Sequence, residues 1–124
     1  METIHSDDAP KAIGPYSQAV KAGNVIYTSG QVSLDPKSGQ LVTGDFAAQA
    51  RRVFDNLAAV LRAAGADFKN VAKANVYLAN LADFDTLNAI YAEYFGDHKP
   101  ARTTVQVAGL PKKAALEIDL IAVV

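Results

Sequence analysis

Two side chains in this 124-residue chain have the chemistry to work on a small organic acid. Arg102 stands in Pro100-Ala101-Arg102-Thr103, at the start of a predicted strand, and Glu117 stands in the final strand, Leu116-Glu117-Ile118-Asp119-Leu120. A guanidinium presents a planar fork that matches a carboxylate with two hydrogen bonds. A carboxylate fifteen residues further on, expected on a neighbouring strand, would hold or deprotonate an attacking water. Which of the two it does depends on its surroundings, since burial raises a carboxyl pKa and a nearby Arg102 lowers it. Each residue also has a plainer reading: a solvated arginine, and a strand carboxylate paired with a basic side chain. For Arg102, Pro100 stiffens the approach, and strand alternation puts Thr104 and Gln106 on the same face.

Little else competes for a chemical role. There is no cysteine, which excludes disulfides, thiolate catalysis and thiolate metal sites. The two histidines, His5 and His98, lie in a polar lead-in and a loop without metal-type spacing; both read as surface residues, and no metal site is expected. Asp83 and Asp85 read as charges complementing a helix N-terminus. Twelve basic residues oppose thirteen acidic ones, and no Lys/Arg run exceeds two, which argues against a nucleic-acid partner. The first ten residues are polar and acidic, unlike a secretory signal, and no apolar run has the length of a membrane span. The expectation is a single domain over 1–124, without a membrane partner and cytoplasmic.

These residues need a scaffold. Residues 1–10 read as a loosely held lead-in. Ala19-Val20-Lys21 and Val25-Ile26-Tyr27-Thr28 flank Ala22-Gly23-Asn24 and predict a hairpin. Val32-Ser33-Leu34 extends its second strand, and Asp35-Pro36-Lys37-Ser38-Gly39 is a turn cluster. A first helix is predicted over about 45–64, with Phe46, Ala50, Val53, Phe54, Leu57, Val60, Leu61 and Ala64 on one face. Thr43 or Asp45 caps its start and Gly65 suits its end. Val71 to Leu78 alternates, with Ala72, Ala74, Val76 and Leu78 on the dry side. A second helix is predicted over about 81–95, with the stripe Phe84, Leu87, Ile90, Tyr91, Tyr94 and Phe95, and strands follow over 103–107 and 116–124.

The order strand-strand-helix-strand-helix-strand-strand predicts an α+β fold, one sheet with two helices on one face. The other face of the last strand would carry Glu117, Asp119, Ile121 and Val123. So apolar a surface is seldom left to water, and the simplest cover is a second copy of the chain, so a homo-oligomer is expected.

Four separated motifs form a pattern: Ala12-Ile13-Gly14-Pro15-Tyr16-Ser17-Gln18-Ala19, Thr28-Ser29-Gly30-Gln31, Pro100-Ala101-Arg102-Thr103 and Glu117-Ile118-Asp119, with a further match over residues 86–91. In this order and spacing the chain resembles the RidA (YjgF) family of enamine/imine deaminases over nearly its whole length. The resemblance implies a chorismate-mutase-like fold with a mixed sheet, a homotrimer, and clefts at the subunit interfaces. It assigns Arg102 to the substrate carboxylate and Glu117 to the attacking water. Tyr16 and Ser29 would contribute hydroxyls, Gly30 a backbone N–H, and Asn88 and Thr104 further substrate contacts. From the residues alone, Tyr16 reads as a core or interface tyrosine, Ser29-Gly30 as a strand-ending turn and Asn88 as an exposed helix residue. Thr104 stands where some relatives have cysteine, and Lys99 where some have phenylalanine. The implied reaction is hydrolysis of small 2-imino acids and enamines to 2-oxo acids and ammonia, with no cofactor. Other relatives have been described as ribonucleases or translation inhibitors, and a metabolite sensor or chaperone-like module would use the same clefts.

Overall fold

In a computed structural model describing residues 1–124, six strands and two α-helices build the chain. The strands are β1 (Glu2–Ile4), β2 (Ala19–Ala22), β3 (Val25–Thr28), β4 (Val71–Leu78), β5 (Ala101–Gln106) and β6 (Leu116–Val123); the helices are α1 (Phe46–Ala63) and α2 (Phe84–Phe95). They form one sheet in the order β1-β2-β3-β6-β4-β5. Only β4 and β5 run parallel, as strands joined through a crossover helix can; the other neighbours are antiparallel. The architecture is the expected α+β fold with a mixed sheet.

The helix boundaries follow from local chemistry. The Asp45 carboxylate accepts the Ala48 N–H at 2.9 Å, satisfying one of the orphan donors that begin α1. Past the other end, Gly65 takes φ +80°, a left-handed conformation that suits a residue without Cβ. The α1 stripe Val53, Phe54, Leu57, Val60 and Leu61 is buried, and Leu87, Ile90 and Phe95 of α2 join it. Against them lie Ile26, Ala74, Val76, Leu78, Leu116, Ile118, Leu120 and Ala122, so both helices cover one face of the sheet. Alternation turns Tyr77, Glu117, Asp119 and Ile121 the other way, where they are only half-buried. Tyr27 and Val123 on that face remain 45% and 42% exposed, and nothing in the chain covers them.

Four details differ from the sequence expectation. The lead-in is tied down: β1 pairs with β2, Ile4 and Ala9 are buried, and the Gln18 amide accepts the Ser6 N–H and donates to the carbonyls of Ser6 and Pro10. One buried amide thus replaces the long strand that a sequence pattern would have revealed. In β4 the dry row holds from Ala74 onward, but a register shift between Val71 and Lys73 buries Val71 and exposes Ala72. Residues Leu81–Asp83 form a 3-10 turn ahead of α2, anchored by the Asn80 side chain accepting the Ala82 N–H at 2.9 Å. His98 is half-buried rather than a free surface residue; its ring nitrogen meets the Val71 carbonyl at 2.6 Å and ties the α2–β5 loop to the start of β4.

Candidate functional site

The sheet order corrects the expected neighbourhood of Arg102 and Glu117. β4 lies between β5 and β6, so the two residues are not on adjacent strands. They also face opposite ways. Arg102 pairs in register with Ala74, which is fully buried against the helices, and so points to the helix side. Glu117 pairs with Tyr77 and points to the open side. One chain therefore carries two separate half-sites.

The first is built around Glu117. Tyr27 pairs with Ile121 and Gln31 with Ile118, so four steps along one strand oppose three along the other. The extra residue makes a bulge at 28–30, where the Thr28 hydroxyl accepts the Leu120 N–H at 2.9 Å in place of a main-chain partner. The bulge presses Gly30 onto Glu117. A Cβ at Gly30 would stand 2.7 Å from both Cδ and Oε2 of that carboxylate, so glycine lets the carboxylate keep this place and any larger residue must displace it. Gly30→Ala should push the carboxylate aside without unfolding the chain, read by a crystal structure of the variant beside a melting curve.

Tyr16, Gly30 and Glu117 line one cavity of about 380 Å³, rimmed by Lys11 and Lys112. Lys112 and its neighbour Lys113 hold φ of 57° and 59°, a strained conformation for residues with a side chain, in the turn whose Pro111 and Lys112 border the cavity. Tyr16 is 53% exposed, and its oxygen accepts the Ile13 N–H at 3.3 Å, leaving the hydroxyl proton for a ligand. Ser29 differs from the expectation of a free donor: its proton is given to the Ser17 carbonyl, so its oxygen can only accept.

Glu117 forms no ion pair, which removes the plainer reading of it as a salt-bridged strand carboxylate. Burial first, and then the charge of Asp119, raise its pKa above the ordinary 4.5. Asp119 is held by the Asn75 amide at 2.8 Å. Asp119→Asn should therefore move the Glu117 midpoint down, though not to 4.5, because the larger cause, burial, remains. A carbon NMR titration of the Glu117 carboxyl in both proteins would show this, and an unmoved midpoint would contradict it.

The second half-site surrounds Arg102 on the edge strand β5. Its guanidinium lies over the Tyr91 ring at 4.8 Å and the Phe84 ring at 5.6 Å. It makes no ion pair, so a half-buried cation stands without an anion. Thr104, on the same strand face, has a buried hydroxyl without a hydrogen-bond partner. Asn88 is half-buried and falls four residues after Phe84 and three before Tyr91, on the helix face that meets Arg102. Phe84 and Tyr91 read from sequence as members of an apolar stripe and, with Leu110, as the surroundings of a pocket that sequence could not place. Their spacing with Asn88 was the available signal, but it needed the register of β5 to give it meaning.

Comparison with known proteins identifies the family. The profile of the family described as Endoribonuclease L-PSP matches residues 6–124. The human 2-iminobutanoate/2-iminopropanoate deaminase is 50% identical over 120 residues, spanning 97% of this chain and 88% of that protein. A crystal structure of RidA from an Antarctic Psychrobacter superposes with a TM-score of 0.96 at 46% identity, covering all of both chains. Escherichia coli TdcF, crystallised with bound serine, gives 0.95 at 40% identity over 100% of this chain and 99% of its own. With the sheet order, the bulge at Gly30 and the unpaired Arg102 in place, the chain belongs to the Endoribonuclease L-PSP, or RidA, family.

Proposed function

We propose that this protein hydrolyses small 2-imino acids and their enamine tautomers, such as 2-aminoacrylate and 2-aminocrotonate, to 2-oxo acids and ammonia. We propose further that its sites are completed where copies of the chain meet, in a homotrimer. The observation that carries the reading is Arg102: a half-buried guanidinium on a sheet edge, backed by two rings and lacking any anionic partner. Such a group fits an arriving carboxylate. The name of the human relative and the serine bound by TdcF, a small molecule with an α-carboxylate, support the same substrate class.

The chemistry needs only water. Arg102 holds the carboxylate, and a water positioned by Glu117 of another copy adds its oxygen to C2 while Glu117 takes a proton. The C=N electron pair moves to nitrogen, to which Glu117 returns the proton. Glu117 then takes the carbinolamine O–H proton and passes it to the amino nitrogen, C=O forms as the C–N bond breaks, and ammonia leaves with the electron pair of that bond. A carboxylate whose pKa is raised towards neutrality takes and returns that proton more readily than an ordinary one. Asn88, Tyr16 and the Gly30 N–H would orient the substrate in the same cleft, while the Thr104 hydroxyl, expected to join them, is buried in the chain and closed to it. RNA cleavage finds less support, since the chain carries a net charge of -1 and no clustered basic stripe to follow a phosphate backbone.

The test is to generate 2-aminoacrylate with a serine dehydratase and follow the appearance of pyruvate. Added protein should hasten it in proportion to concentration; an unchanged rate would overturn the proposal.

A further inference from the structure

We infer that Tyr91 is a positioning residue, whose ring, held by the core, sets the plane in which the Arg102 guanidinium meets a carboxylate. The inference rests on the reading of Arg102 as the carboxylate site. A fork can bind two oxygens at once only if its plane is fixed before the ligand arrives. No polar group of the chain fixes it, because Arg102 has neither an ion pair nor a hydrogen bond to another side chain. What remains is the aromatic support. Tyr91 stacks on Phe95 at 4.3 Å and 19°, and meets Phe54 edge-on at 5.9 Å and 81°. Phe54 is fully buried, and Phe95 is braced in turn by Phe68 at 5.0 Å. The rings form a rigid line from the core of the domain to the guanidinium at its edge.

The ring, and not the hydroxyl, performs this role. The Tyr91 oxygen is buried and has no hydrogen-bond partner, so no ligand reaches it and it holds nothing in place. Burial also raises the phenol pKa, against the opposing influence of Arg102, so the group stays neutral and attracts the cation only through its face.

The experiment measures binding of 2-oxobutanoate to the intact protein by calorimetry, with turnover and melting temperature beside it. Tyr91→Phe should bind within about twofold of wild type, because it keeps the face and loses only an unpartnered oxygen. Tyr91→Leu should weaken binding about tenfold and raise KM by a similar factor, with kcat changed far less, since the carboxylate contact is shared by ground and transition states. In an Arg102→Lys background the same Tyr91→Leu change should have little further effect, because an ammonium has no plane to set. Equal factors in the two backgrounds would overturn the inference. Should Tyr91→Leu fail to fold, Phe84→Leu removes the second ring from a position 36% exposed. It should weaken binding by about threefold, and wild-type affinity there would count against the inference. Arg102→Ala separates the two levels. If it leaves binding unchanged, the carboxylate reading itself is wrong. If it abolishes binding while Tyr91→Leu binds normally, only the role of Tyr91 is lost.

Discussion

Arg102→Ala should lower kcat/KM for 2-aminoacrylate by about 10²- to 10³-fold and leave the melting temperature almost unmoved. The size follows from what is removed. Truncating one partner of a sheltered, hydrogen-bonded charge pair costs about 2–5 kcal/mol, and each decade of rate corresponds to about 1.4 kcal/mol. The specificity of the effect follows from position. Arg102 lies on the edge strand, pairs with no acid and sets its guanidinium over the rings of Tyr91 and Phe84, so the fold has little to lose with it. Arg102→Lys should fall between the two, keeping the charge but not the fork. A normal rate in Arg102→Ala would remove the carboxylate anchor from the mechanism.

How much of this was legible in the sequence depended on whether the signal was local. β4 over 71–78, the Asp45 cap and the alternation of β6 could be read from periodicity, because each reflects contacts within one element or with one face. Strand order is different. Nothing in the pattern of Leu116–Val123 says that it inserts between β3 and β4, and that insertion separates Arg102 from Glu117. Residue type alone points to the two side chains, but it sets them one strand too close and on a shared face. β1 escaped notice for a related reason: three residues at a polar terminus carry no period, and the buried Gln18 amide that secures the lead-in looks in sequence like any glutamine. The bulge at Ser29-Gly30 could be suspected from a glycine near a strand end. Its purpose became visible only when the Glu117 carboxylate was found pressed against it.

Glu117→Gln should be as damaging as any single change in the chain, lowering kcat by roughly 10²- to 10⁴-fold, the usual contribution of a positioned acid–base group. It should also stabilise the protein at neutral pH. A carboxyl whose folded pKa lies above its unfolded value favours folding in its protonated form, fully below the unfolded pKa, and that benefit is lost as pH rises through the raised value. Glutamine is never ionised, so the variant's higher melting temperature at pH 7 should shrink towards zero below about pH 4. The stronger result comes from mixing. Glu117→Gln chains keep a working Arg102, and Arg102→Ala chains keep a working Glu117. If the half-sites are joined only across a junction between copies, co-refolding equal amounts of the two inactive variants should rebuild intact sites. With random assortment, one junction in roughly four receives both native residues, so about a quarter of wild-type activity should return. Because the two side chains of one protomer point to opposite faces of its sheet, no arrangement confined to a single chain explains such recovery. Continued inactivity in mixed oligomers, shown by tagged subunits to have exchanged, would rule out the shared site.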